Sequence, residues 1–189
     1  MQSRLTKVAL LTLANLIALI PGSLLAEDTS ASCSENSLPA PLSALLKSRF
    51  AAWRPKQISD LDSYDQQLWR KAHPKQCPGI AVGHFERVDQ IAYAILLVPK
   101  EKSAGGYKIV VFDPSPSGDG YTSKLLDHAV SEAAPQLVIA TVPPGKHSDF
   151  EDAKSITTRQ DSVLVDWIEG AAVLYYWSGG RYCTLQAAD

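Results

Sequence analysis

The chain has 189 residues, 18 basic against 20 acidic, for a net charge of −2, and 46% of it is hydrophobic. That length supports a substantial core. The charge balance excludes a nucleic-acid protein that works by neutralising phosphates, and the composition excludes disordered, collagen-like and coiled-coil chains.

Residues 1–26 read as a secretory signal peptide. Arg4 and Lys7 form a short basic start, and Val8 to Ile20 follows without a charge. That apolar run is too short to span a bilayer as a helix, which takes about 20 residues. Pro21-Gly22 breaks it, and Ser23-Leu24-Leu25-Ala26 offers a cleavage site after Ala26. The expected location is periplasmic or secreted. Cleavage leaves 16 basic against 20 acidic residues and no second long apolar run, so no membrane attachment is expected afterwards. Residues 27–38 read as a flexible linker, and 39–189 as a single α+β domain.

Two helices are expected first. Leu42, Leu45, Leu46, Phe50 and Trp53 recur at helical spacing between Pro41 and Arg54, and Pro55 stops the run. A second helix runs from Ser59 to His73, with Ser59 and Asp62 as an S-x-x-D cap and an apolar face of Leu61, Tyr64, Leu68 and Trp69. The short connection suggests antiparallel neighbours. Cys33 and Cys77 then meet at one end of the pair, so a Cys33–Cys77 bond is the leading expectation. An exported chain meets an oxidising compartment, and three cysteines allow one intrachain bond. Cys183 is left as a buried thiol. The alternative pairing is Cys77 with Cys183.

From Pro78 onward the pattern is that of strands. Ile80–Glu86 alternates, Ile91–Val98 is continuously apolar, and Tyr107–Phe112, Leu137–Val142, Ser162–Ile168, Ala172–Trp177 and Arg181–Leu185 follow. Tyr121–His128 is ambiguous between strand and helix. The connections are too short for helical crossovers, so the sheet should be mainly antiparallel. The expected fold is α+β, with two N-terminal helices packed on a sheet of six to eight strands. A β-sandwich with a helical cap is the alternative.

Gly83-His84-Phe85-Glu86-Arg87-Val88-Asp89-Gln90-Ile91-Ala92-Tyr93-Ala94 resembles the hairpin of calcium-binding FG-GAP or VCBS-type loops, with Gly83, Phe85, Tyr93 and Ala94 matching. His84, Val88 and Ala92 stand where oxygen ligands are expected, and calcium takes six to eight oxygens. The resemblance therefore implies a hairpin and no metal. Together with WRPKQISDLD, CPGIA and YYWSGG, it is similar to small secreted bacterial proteins, a likeness that implies no activity.

Six residues stand out as candidates for binding. His84 and Glu86 share a face if their strand is regular, either as an acid/base pair or as a solvated polar pair. His147, Asp149 and Glu151 lie on a long polar loop with Asp152, suited to recognition and more weakly to a cation. Tyr176 belongs to an aromatic hairpin in which Tyr175 and Trp177 take the opposite face. No phosphate-binding loop, nucleophile elbow or zinc motif is complete, so no catalytic residue, cofactor or metal is assigned. The leading reading is a binding module that engages a protein partner in the cell envelope, in the manner of an inhibitor or immunity protein. The second is a small hydrolase or metal-assisted enzyme using His84, Glu86 and the His147–Asp152 loop.

Overall fold

Apolar residues on both sides of a strand demand cover on both sides, and this requirement organises the molecule. The computed structural model describes residues 33, 37–101, 104–131, 135–150 and 154–188. The expected signal peptide, most of the 27–38 linker, Glu151 and Asp152 lie outside the described residues.

The strands form two antiparallel sheets. The first contains β1 (Trp53–Pro55), β2 (Ile80–Gly83), β3 (Ala92–Pro99), β4 (Tyr107–Pro114) and β5 (Tyr121–Ala129). β4 lies along one edge of β3, while β1 and β2 share the other. The second runs in the order β11 (Arg181–Ala188), β10 (Ala172–Ser178), β9 (Ser162–Trp167) and β6 (Leu137–Val142). A small hairpin, β7 (Lys146–Ser148) with β8 (Ser155–Thr157), stands apart.

The inner faces meet in one cluster. Ala94, Leu96, Ile109 and Val111 of the first sheet pack with Leu137, Ile139, Val163 and Val165 of the second. Phe85 joins them fully buried, although it lies outside any strand; that burial contributes about 2 kcal/mol. The alternate residues point outward. Ile95, Leu97, Val110 and Phe112 are covered by Leu42 and Leu46 of α1 (Ala40–Arg49). Val138 and Ala140 are covered by Leu61 and by Trp69 of α2 (Ser63–Ala72).

The expected α+β arrangement, with two N-terminal helices packed on one sheet, is therefore corrected: the chain is mainly β. The helices cover opposite outer faces and do not pack as a pair. The physical reason lies between them. Trp53 continues the helical spacing of α1, but α1 ends at Arg49, and Trp53–Pro55 leaves it to pair with Pro99–Leu97 of β3. α2 is capped by Asp62, whose carboxylate accepts the Asp65 N–H at 2.8 Å, while Ser59 belongs to a single 3₁₀ turn, Ile58–Asp60.

Cys33 and Cys77 are disulfide-bonded, with Cα atoms 5.4 Å apart. Cys183 is free and half-buried. No helix among the described residues is long and apolar enough to cross a membrane.

Lys56, directly after β1, is fully buried. Its Nζ donates to Pro135 O at 2.6 Å and Leu137 O at 2.7 Å, and its N–H donates to Leu96 O at 2.9 Å. This side chain ties the first sheet to the start of β6. The backbone is tight here: a Cβ on Gly79 would lie 2.4 Å from Lys56 O. The same flank is stitched by Ile139 N–H to Pro78 O and by the Thr141 hydroxyl to Val82 O, both 2.9 Å. The opposite flank, between β5 and β11, is joined through side chains, with Lys124 of β5 over the Trp177 ring of β10.

Candidate functional site

The expected strand Ile80–Glu86 stops at Gly83, and this separates His84 from Glu86. A Cβ on Gly83 would come within 3.0 Å of Asp161 Oδ2, Phe85 and Thr141, so the chain passes close to them at the end of β2, and Phe85 turns into the core just beyond. His84 goes to Asp161: its N–H donates to Oδ2 at 2.7 Å, and its Nδ1 lies 3.4 Å from the same oxygen. Glu86 goes instead to Lys124 of β5, with which it forms an ion pair.

The other candidates are held separately. His147 sits half-buried in β7 with a ring nitrogen 3.3 Å from the Thr158 hydroxyl. The Asp149 N–H donates to Lys154 O at 2.7 Å. Tyr176 stands opposite Cys183, on the face of β10 away from Tyr175 and Trp177. Among the described residues no three His, Cys, Asp or Glu gather to hold a metal ion.

Glu86 leads to residues that the sequence did not single out. Lys124 Nζ lies 4.6 Å from the centre of the Trp177 ring, within reach of a cation–π attraction. Trp177 meets Tyr182 edge-on, with centroids 5.0 Å apart. Beneath them lies Asp113, at the end of β4. Burial raises its carboxyl to about 7, and the neighbouring Glu86 carboxylate adds to that, against the lowering effect of Lys124 and Arg87. Burial likewise raises the Tyr182 hydroxyl, as do the charges of Glu86 and Asp113. Glu86 Oε1, Asp113 Oδ2 and Tyr182 Oη are sealed from solvent.

The cluster thus contains two carboxyls, one lysine and a phenol, drawn from the β2–β3 turn, β4, β5 and β11. Lys124 pairs with Glu86 Oε2, and Glu86 keeps a side-chain exposure of 10%. The Lys124 and Tyr182 side chains of this cluster also line an open surface.

That surface is a groove of about 430 Å³ between β5 and β11. Lys124 and Leu125 form one wall, Arg181 and Thr184 the other, with Tyr175, Trp177 and Tyr182 as the floor. The register explains the floor: Trp177 opposes Tyr182 and Tyr175 opposes Thr184, so all four point the same way.

The paired carboxyls give a testable pH dependence. The Asp113 carboxyl is raised in the folded chain, so its stabilising contribution is complete below about pH 4 and is lost as pH rises to about 7. Asp113→Asn should therefore gain on the wild type as pH rises through that window and hold the gain above it. Urea midpoints at pH 4.5 and pH 8 check this, and a difference that does not change with pH contradicts it.

No family model, no curated protein and no solved structure matches the chain.

Proposed function

We propose that the chain is an exported binding module that engages a protein partner of the cell envelope through the groove between β5 and β11. The observation that carries this reading is the aromatic floor of Tyr175, Trp177 and Tyr182, which lines a groove between β5 and β11. Tyrosine and tryptophan supply large contact areas at a small cost in side-chain entropy, and arginine at a rim adds directed hydrogen bonds; both types are enriched at interfaces. Export is supported by the order of residues in 1–26 and by the disulfide, which persists in oxidising compartments. The hydrolase reading has less support, since His84 and Glu86 are engaged by Asp161 and Lys124 respectively.

The test is capture from envelope extract by the tagged mature chain. Wild type should retain a defined partner, and Trp177→Ala should retain at least tenfold less at unchanged far-UV dichroism. Val88→Ala, at an exposed position in the β2–β3 turn, should behave as wild type. Equal capture by Trp177→Ala contradicts the reading.

A further inference from the structure

The two strands that flank the groove differ as edges. β5 carries a register shift opposite Ile109 and Val110, and it bears Lys124. A bulge and a lysine are the usual means of blunting an edge against further pairing. β11 is different: Arg181 to Gln186 runs in unbroken register against Ser178 to Val173.

The parity of β11 follows from its turn. Gly179 and Gly180 both have positive φ, 57° and 81°, the signature of a tight two-residue hairpin. The flanking Ser178 and Arg181 then form a hydrogen-bonded pair, and bonded and non-bonded pairs alternate from there. Cys183 and Leu185 turn their backbone groups to β10. Tyr182, Thr184 and Gln186 turn theirs to the open side. The far end of the strand agrees: the Gln186 carbonyl accepts the N–H of Phe150 at 2.9 Å, from outside the sheet. Phe150 itself is left 61% exposed. The N–H and C=O of Tyr182 and Thr184 meet no backbone partner among the described residues.

We infer that β11 is a docking edge, along which an extended, acidic segment of the partner adds as a further strand, continuing the line begun by Phe150 at Gln186. This rests on the groove being the binding surface and names how it is used. Main-chain bonds to Tyr182 and Thr184 supply affinity, and alternate side chains of the incoming segment lie over Trp177 and Tyr182. The charge preference comes from Arg181 on the groove wall, which has no ion-pair partner among the described residues; Lys124 on the facing wall is already paired with Glu86.

The experiment uses the full mature chain and a random-peptide phage library as the probe. Enriched peptides should be acidic. They should slow hydrogen exchange of the Tyr182 and Thr184 amides at least tenfold. Thr184→Pro removes the edge N–H and should weaken binding at least tenfold; Thr184→Ala keeps that N–H and should weaken it far less, and Tyr64→Ala, on α2 outside the groove, should bind as wild type. The exchange measurement stands on the wild-type chain should the proline variant misfold. No enrichment, enriched peptides without an acidic preference, or unchanged exchange at both amides overturns the inference. Binding lost in Trp177→Ala but kept in Thr184→Pro also overturns strand addition while sparing the groove; binding insensitive to both overturns the groove as well.

Discussion

Replacing Lys56 with alanine should lower the free energy of unfolding by about 3–5 kcal/mol, a very large effect for the loss of one charged residue. Most lysines lie on the surface and cost little to remove. This one is fully buried and donates to the carbonyls of Pro135 and Leu137. Its loss removes the partner of the buried Leu137 carbonyl and of the partly buried Pro135 carbonyl and opens a cavity the length of its stem. Lys56→Met refills much of that cavity but not the hydrogen bonds, so its cost should be smaller. Burial lowers the amine from 10.5 to about 8, against the opposing charges of Asp60 and Asp65. Between those values the unfolded chain holds a proton that the folded chain does not, so this residue makes stability rise with pH from about 8. Lys56→Met should abolish that rise. Urea unfolding at pH 7.5 and pH 9.5 measures both effects. A loss below about 1 kcal/mol for the alanine variant, outside the range expected for a buried charge with orphaned acceptors, would show that the joint does not depend on this side chain.

Cys33→Ser should cost about 4 kcal/mol under oxidising conditions, the chain-entropy value for a bond between cysteines 44 residues apart. The bond fastens the arm that carries Leu38, which packs against the outer face of the first sheet. In reductant the wild type should fall to the level of the variant. Melting curves with and without reductant check this; an equal gap in both conditions would mean that the serine acts by packing and not through the bond.

The same bond shows how sequence reasoning can reach a correct pair by an incorrect route. The expectation placed Cys33 and Cys77 together because α1 and α2 were to lie side by side. The helices cover opposite faces instead, and Cys77 meets Cys33 just ahead of β2. The long apolar runs were legible because each strand position obeys a two-residue period or is covered on both sides. The apolar run Leu137–Val142 coincides with β6, and Ile91–Val98 lies within one residue of β3. Trp53–Pro55 was not legible: three residues contain no period, and their pairing with β3 is a tertiary event. The short strands Lys146–Ser148 and Ser155–Thr157 were hidden for the same reason.

Of the groove, only fragments were legible. Glu86 was named for its spacing from His84, yet it matters through Lys124, Asp113 and Tyr182, which come from β5, β4 and β11. Nothing local in the sequence marks that convergence. One signal was present: the Ser178-Gly179-Gly180-Arg181 turn fixes the hairpin register, and that register puts Tyr175, Trp177 and Tyr182 on one face. The aromatic face opposite Tyr176 could have been read as the floor of the site.

The most direct measurement is photo-crosslinking in envelope extract from single positions of the mature chain. A photoreactive residue at Thr184, on the groove wall and on the face of Tyr175 and Trp177, should trap the partner, and one at Tyr64, exposed on α2, should not. Trapping from Tyr64 with none from Thr184 would place the partner on another face and contradict the account.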